Sequence, residues 1–338
     1  MRKIFLLVLF LSLIGCTSKE NTMDKYGFKD VGELKFTHLD LDEYIYMPTW
    51  VEVFDSLLLV YDPVEENNYT IYNLNTLQPV INGGNKGEGP DDIMYGQFVD
   101  KIDNKRFQVS DLANRKILVY NVDSILHNKE FKPIRRIFYS LYEENVNGSI
   151  QIMYNLNDTV NIGLGPFDNG KYAILNENWI DYWGNYPDEP KTERNPFYTH
   201  QGVIQVNRER NRFLYHCPLG LYYEIYEYAH GFNRIGGEYV LTEFVSGIST
   251  VNTIYGINSA DFSEDEIFML FSGRTDKETE SPMFADNILV CDMDGNKKKC
   301  YKTDRNTVCI GLDSQKRRIY CVTQNPDTFE LEIGYYKY

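Results

Sequence analysis

The chain has 338 residues and a formal net charge of −15, with 27 tyrosines and 19 phenylalanines. So acidic a chain repels phosphate backbones, and its longest basic run, Lys297-Lys298-Lys299, reads as a solvated strand end, which argues against nucleic acid as a partner. The aromatic content suits pleated, half-buried surfaces.

Arg2 and Lys3 open the chain with positive charge, and residues 4–14 are apolar except for Ser12. That run is about half the roughly twenty residues a spanning helix needs, so it reads as a secretory signal of residues 1–15. It ends in Leu13-Ile14-Gly15-Cys16, which resembles the lipobox of bacterial lipoproteins. The resemblance implies cleavage before Cys16 and lipid on its thiol and amine, hence anchoring to a membrane. Several acyl chains give stable anchoring where one is marginal. Residues 16–32 are expected to be the lipidated terminus and a polar tether. Glu20 is faintly similar to acidic surface-export signals, so periplasmic and surface display at the outer membrane both stay open.

From residue 33 onward, short apolar or alternating runs are broken by turn signals, with almost no helical period. Leu57-Leu58-Leu59-Val60-Tyr61 and Tyr69-Thr70-Ile71-Tyr72 are the first runs; Arg106-Phe107-Gln108-Val109-Ser110 and Lys116-Ile117-Leu118-Val119-Tyr120 follow. Asn147-Gly148, Asp168-Asn169-Gly170 and Asp294-Gly295 supply the positive φ of tight hairpins. The runs group into units at 53–80, 98–123, 149–179, 203–228, 254–301 and 308–336. Six units across 33–338 give about fifty residues each, the size of a four-stranded propeller blade. The expected fold is all-β, a six-bladed β-propeller in one domain, with the strand at 33–46 pairing into the last blade to close the ring.

The loop Asn82-Gly83-Gly84-Asn85-Lys86-Gly87-Glu88-Gly89-Pro90-Asp91-Asp92 resembles the Gly-x-Gly-Pro-Gly-Glu-Phe motif of six-bladed, TolB-like propeller lipoproteins of Gram-negative bacteria. Gly87, Gly89 and Pro90 match, and Asp91-Asp92-Ile93 departs from it. Val109-Ser110-Asp111 with Asn114-Arg115-Lys116-Ile117, the stretch from Ile288 to Gly295, and Asn325-Pro326-Asp327 are similar to the same family. The resemblance implies a propeller displayed at the cell envelope. A phosphate-binding reading of the glycine loop needs a following helix, and none is patterned here, so a structural turn is expected.

Five cysteines remain beyond Cys16. By hairpin arithmetic Cys309 faces Cys321 and Cys291 faces Cys300, spacings that suit either disulfides or free buried thiols. No Cys-x-x-Cys, paired-histidine spacing or Gly-x-Ser-x-Gly elbow occurs, so no metal, cofactor or catalytic residue is assigned. Trp179, Tyr182, Trp183 and Tyr186 interleave with polar residues in an expected inter-blade loop. They form either a stacking platform for a ligand or a seal on the side of the propeller.

Two functions are carried forward. One is a binding or scaffold module for a protein, peptide or glycan. The other is an envelope carbohydrate-active enzyme, a hydrolase or lyase with carboxylates in the central cleft, which a cluster of perturbed acids would favour.

Overall fold

The computed structural model describes residues 23–338, apart from 43–44, 64–65, 97, 158, 188–194, 241, 243, 246–247, 280 and 282. Residues 1–15, expected to be an export signal, and Cys16 lie outside the described residues.

Leu57–Tyr61 shows how local sequence becomes architecture. A strand sends successive side chains to opposite faces. Here both faces are covered, so the run is apolar throughout. Leu58 and Val60 pack toward the last unit of the chain, while Leu59 and Tyr61 pack toward the second unit. Blade 1 is the antiparallel meander Trp50–Phe54, Leu57–Tyr61, Asn67–Asn73 and Pro79–Asn85. Blade 2 is Phe98–Lys101, Arg106–Asp111, Lys116–Asn121 and Arg135–Phe138. Blade 3 is Ile152–Asn155, Asn161–Leu164, Tyr172–Asn176 and Trp179–Trp183. Blade 4 is Val203–Asn207, Arg212–His216, Leu221–Glu227 and Asn233–Val240.

Blades 5 and 6 share a strand, which differs from the two separate units expected. The 17-residue strand Lys297–Asp313 pairs through its first part with Ala285–Asp292 and through its second part with Arg318–Gln324. It thus ends blade 5, whose other strands are Ile257–Phe262 and Glu266–Phe271, and begins blade 6, which continues to Leu331–Lys337. Phe36–His38 pairs antiparallel with Gly334 to Tyr336 as the outer strand of blade 6, so an N-terminal strand closes the ring.

Six apolar clusters among the described residues correspond to six seams between neighbouring blades, the sixth joining blade 6 to blade 1. A blade alone would leave both of its apolar faces in water, and the closed ring removes them all.

The N-terminal segment packs into the ring. Val31–Leu34 adds a parallel fifth strand to blade 5 beside Cys300 to Thr303. Met23, Tyr26 and Phe28 are buried at the blade 4–5 seam. The domain therefore begins inside the stretch 16–32 expected to be tether, because three apolar residues spaced among polar ones carried no strand or helix period. The helix Val122–Asn128 in blade 2 also escaped the sequence reading. Asn121 caps it by accepting from the Ser124 N–H at 2.9 Å, and Val122 and Ile125, three apart, are its buried face. A cap followed by that spacing was a usable signal.

The cysteine pairing needs correction. The register sets Cys309 opposite Val322 and Cys321 opposite Ile310. Cys309 therefore packs at the blade 6–1 seam and Cys321 at the blade 5–6 seam, on opposite faces. Cys300 lies opposite Leu289, and a bulge sets Cys291 against Lys297. Cys217, Cys291, Cys300, Cys309 and Cys321 are free, buried thiols. Burial lifts the Cys291 thiol to about 11 and the Cys300 and Cys309 thiols to about 12, so they behave as small apolar groups.

Candidate functional site at the channel mouth

The first strand of each blade lies nearest the axis, and these strands carry polar residues that an ordinary apolar core would not. Glu52 in blade 1, Asp100 in blade 2, Gln205 in blade 4 and Asp261 in blade 5 are all buried. Each strand leaves backbone groups that no inner strand pairs. Side chains of the neighbouring blade take up some of them.

The resulting staples run round the ring. Lys101 Nζ donates to the Val53 carbonyl and sits 3.9 Å from Glu52. Ser110 Oγ donates to the Met153 carbonyl at 2.7 Å. The His216 ring, through Nδ1, donates to the Ile257 carbonyl at 3.1 Å. Burial lowers the His216 pKa to about 4, which keeps the imidazole neutral. Asp261 accepts from the Leu312 and Phe262 N–H groups, both at 2.7 Å. A further bridge skips a blade. Asp100 accepts from the Val206 N–H at 3.2 Å, from Gln108 Nε2 at 2.8 Å and from Arg208, which also donates to the Lys101 and Asn155 carbonyls. Arg208 thereby ties blade 4 to blades 2 and 3.

Burial dominates the acidities here. It lifts Glu52 to about 8, helped by the Asp261 carboxylate and opposed by Lys101. Asp261 rises to about 6 for the same first reason, with Lys101 opposing. Burial also pushes Asp100 up, against the pull of Arg208 and its hydrogen bonds. Perturbed acids do line the channel: Asp100 and Asp261 accept hydrogen bonds that tie blades together, while Glu52 accepts from the Val53 N–H and faces Lys101.

Above this layer the channel opens into a pocket of about 560 Å³. The turns joining first and second strands build its rim. They contribute Asp55, residues 102–104, 207–210, 262–264 and 313–315 from blades 1, 2, 4, 5 and 6. Six acids and three bases line it. Tight turns set these side chains, with Asp55 itself at φ +50° and Asn211 and Arg317 also in the left-handed region. Two of the three bases, Lys101 and Arg208, point into the staples. Arg210 pairs with Asp265 at 3.0 Å. Asp313 pairs with Lys316, whose ammonium also reaches the Asp55 carbonyl. Asp55, Glu209 and Glu264 make no ion pair among the described residues. Gln205, 4 % exposed, lines the pocket, and its carboxamide has no hydrogen-bond partner among the described residues.

The four aromatic residues do not form one platform. Trp179–Trp183 is the outer strand of blade 3, so Tyr182 and Trp183 point to opposite faces. Tyr182 packs on Phe167 at the blade 2–3 seam. Trp183 packs on Tyr226, centroids 4.7 Å apart, and on Tyr172 at the blade 3–4 seam. Tyr186 stacks on His200 at 5.9 Å beside that seam. Trp179 is 48 % exposed and is the ring of the four most open to solvent.

The blade 3–4 seam also encloses Lys171, whose ammonium is ringed by Tyr172, Tyr186, Tyr215 and Tyr222 and paired with Glu224. Burial lowers Lys171 to about 8 while Glu224 opposes.

Gly87 and Gly89 lie where a Cβ would stand 2.5 Å from the Asp92 carboxylate, which accepts from the Gly89 N–H. The Gly87 and Gly89 carbonyls accept from Asn114 and Lys116, so the loop ending at Pro90 is pinned onto blade 2. Sequence reasoning found this loop and missed Glu52, Asp100, Gln205 and Asp261. Their only signal was a polar residue interrupting a short strand, alone in Trp50–Phe54 but accompanied by Asn258 and Ser259 in Ile257–Phe262.

Among the described residues, no group of three or more His, Cys, Asp or Glu side chains is placed to hold a metal ion, and no helix is long and apolar enough to cross a membrane.

A family model described as TolB-like 6-blade propeller-like matches residues 27–315. No curated protein matches the sequence. Two solved structures share the fold at low identity. A Bacteroides fragilis protein whose name calls it exported is 13 % identical, with a TM-score of 0.55 over 91 % of this chain and 98 % of that one. A DUF4221 family member from Bacteroides vulgatus is 10 % identical, with a TM-score of 0.57 over 90 % and 98 %.

Proposed function

For a chain that belongs to the TolB-like six-bladed propeller family, we propose a non-catalytic role: a binding or scaffold module of the cell envelope, lipid-anchored at Cys16, that receives a protein, peptide or glycan. The observation carrying this reading is the channel mouth. An open polar pocket spans turns of five blades above a floor where Asp261 and Asp100 hold blades together. Rigid blades presenting several loops to one opening suit recognition, and loop chemistry sets what is recognised.

The anchor reading is supported by the charged start, the short apolar run and the small residue before Cys16. With Cys16→Ala the protein should leave the membrane fraction and lose palmitate label; retention of both would overturn the anchor. For function, the chain from residue 17 onward keeps every described residue and is screened on glycan and peptide arrays. Binding lost on substitution at the mouth supports the module. Turnover of a glycan or peptide, abolished by a point substitution, would overturn it.

A further inference from the structure

The rim of the mouth and its floor offer two different kinds of recognition group. Asp55, Glu209 and Glu264 stand on turns of blades 1, 4 and 5, so free carboxylates approach the opening from three directions. The bases near them are already consumed: Arg210 by Asp265, Lys316 by Asp313, and Lys101 and Arg208 by the staples below. The field at the opening is therefore negative and would concentrate cations. Carboxylates on exposed turns alone would be an ordinary solvated surface. Gln205 makes this one different. Gln205 is 4 % exposed, its carboxamide has no hydrogen-bond partner among the described residues, and it lies on the pocket lining, where a bound group can pair with it. A primary carboxamide both donates and accepts, which matches one peptide group.

Resting on the proposed binding role of the mouth, we infer that its ligand is a basic peptide segment of a partner protein. Lys or Arg side chains of that segment pair with Asp55, Glu209 and Glu264, and a main-chain amide bonds to Gln205. Acidic peptides and nucleic acid are repelled by the same carboxylates.

The test titrates the chain from residue 17 onward with hexalysine, with hexaglutamate and with neutral and amino-sugar oligosaccharides, by calorimetry at low and at about 0.15 M salt. Hexalysine is expected to bind and hexaglutamate not. The triple variant Asp55→Asn, Glu209→Gln, Glu264→Gln should weaken hexalysine at least tenfold. A control, Glu144→Gln, Glu177→Gln, Asp327→Asn, removes equal charge from exposed positions away from the mouth and should leave affinity within about twofold. Gln205→Leu should weaken peptide binding several-fold at both salt concentrations, whereas the carboxylate effect shrinks with salt. Thermal melts of each variant establish folding. Equal losses in the mouth triple variant and the control overturn the inference, as does absence of hexalysine binding. If an oligosaccharide binds instead and Gln205→Leu removes it, the cationic-peptide inference fails while the mouth survives as a binding site. If an envelope ligand binds undiminished by every mouth variant, the site itself is wrong.

Discussion

The carboxylates of the channel fall into two sets only a few residues apart in sequence. Glu52 and Asp55 belong to one strand and its turn, and Asp261 and Glu264 to another, yet one member of each pair is buried and the other exposed. The buried member accepts hydrogen bonds or faces a cation, and burial raises its pKa. The exposed member makes no ion pair among the described residues and stands in solvent. Depth along the channel, rather than residue type, therefore decides whether an acid holds the ring together or faces a ligand.

The comparison predicts unequal mutational costs. Asp100→Ala should be the most damaging, since it strands the Arg208 guanidinium in the channel; removing one partner of a buried pair typically costs about 3–5 kcal/mol, readable by urea unfolding. A cost below about 1 kcal/mol would mean Arg208 finds water and the floor is not sealed. Phe28→Ala, at 1 % exposure in the blade 4–5 seam, should cost about 3 kcal/mol. No loss there would show that the N-terminal segment is dispensable to the ring.

A pH dependence sharpens the contrast. Glu52 is raised from 4.5 to about 8, so the folded state holds a proton the unfolded chain releases. Its stabilising contribution is complete below about pH 4.5 and is lost as pH rises through about 8. Glu52→Gln should flatten that slope in melts taken between pH 5 and 8; an unchanged slope would place the titration elsewhere. At the rim, Glu264→Gln should change stability by no more than about 0.5 kcal/mol, as for an exposed substitution free of partners.

Much of the architecture was legible. The strand of apolar residues at 57–61 and the turn at Asp111 to Arg115 announced blades because a covered strand must be apolar on both faces and a tight turn needs its own residue types. The sharing of Lys297–Asp313 by two blades was not legible, since no turn residue marks a strand that merely bends. The aromatic segment was half legible. Its aromatic alternation was plain, but the segment expected as an inter-blade loop is the outer strand of blade 3, and alternation sends Tyr182 and Trp183 to opposite seams and dissolves the platform. The cysteine pairs failed through a one-residue offset in register at Cys309 and Cys321, which moves a side chain to the other face.

The amino-acid sequence by itself determined the repeat and the all-β class, because periodicity and turn chemistry are local properties. The mouth was decided only in three dimensions. Gln205, Asp261 and Glu52 come from blades separated by much of the chain, and their burial, pairing and acidity exist only once closure of the ring brings those strands around one axis.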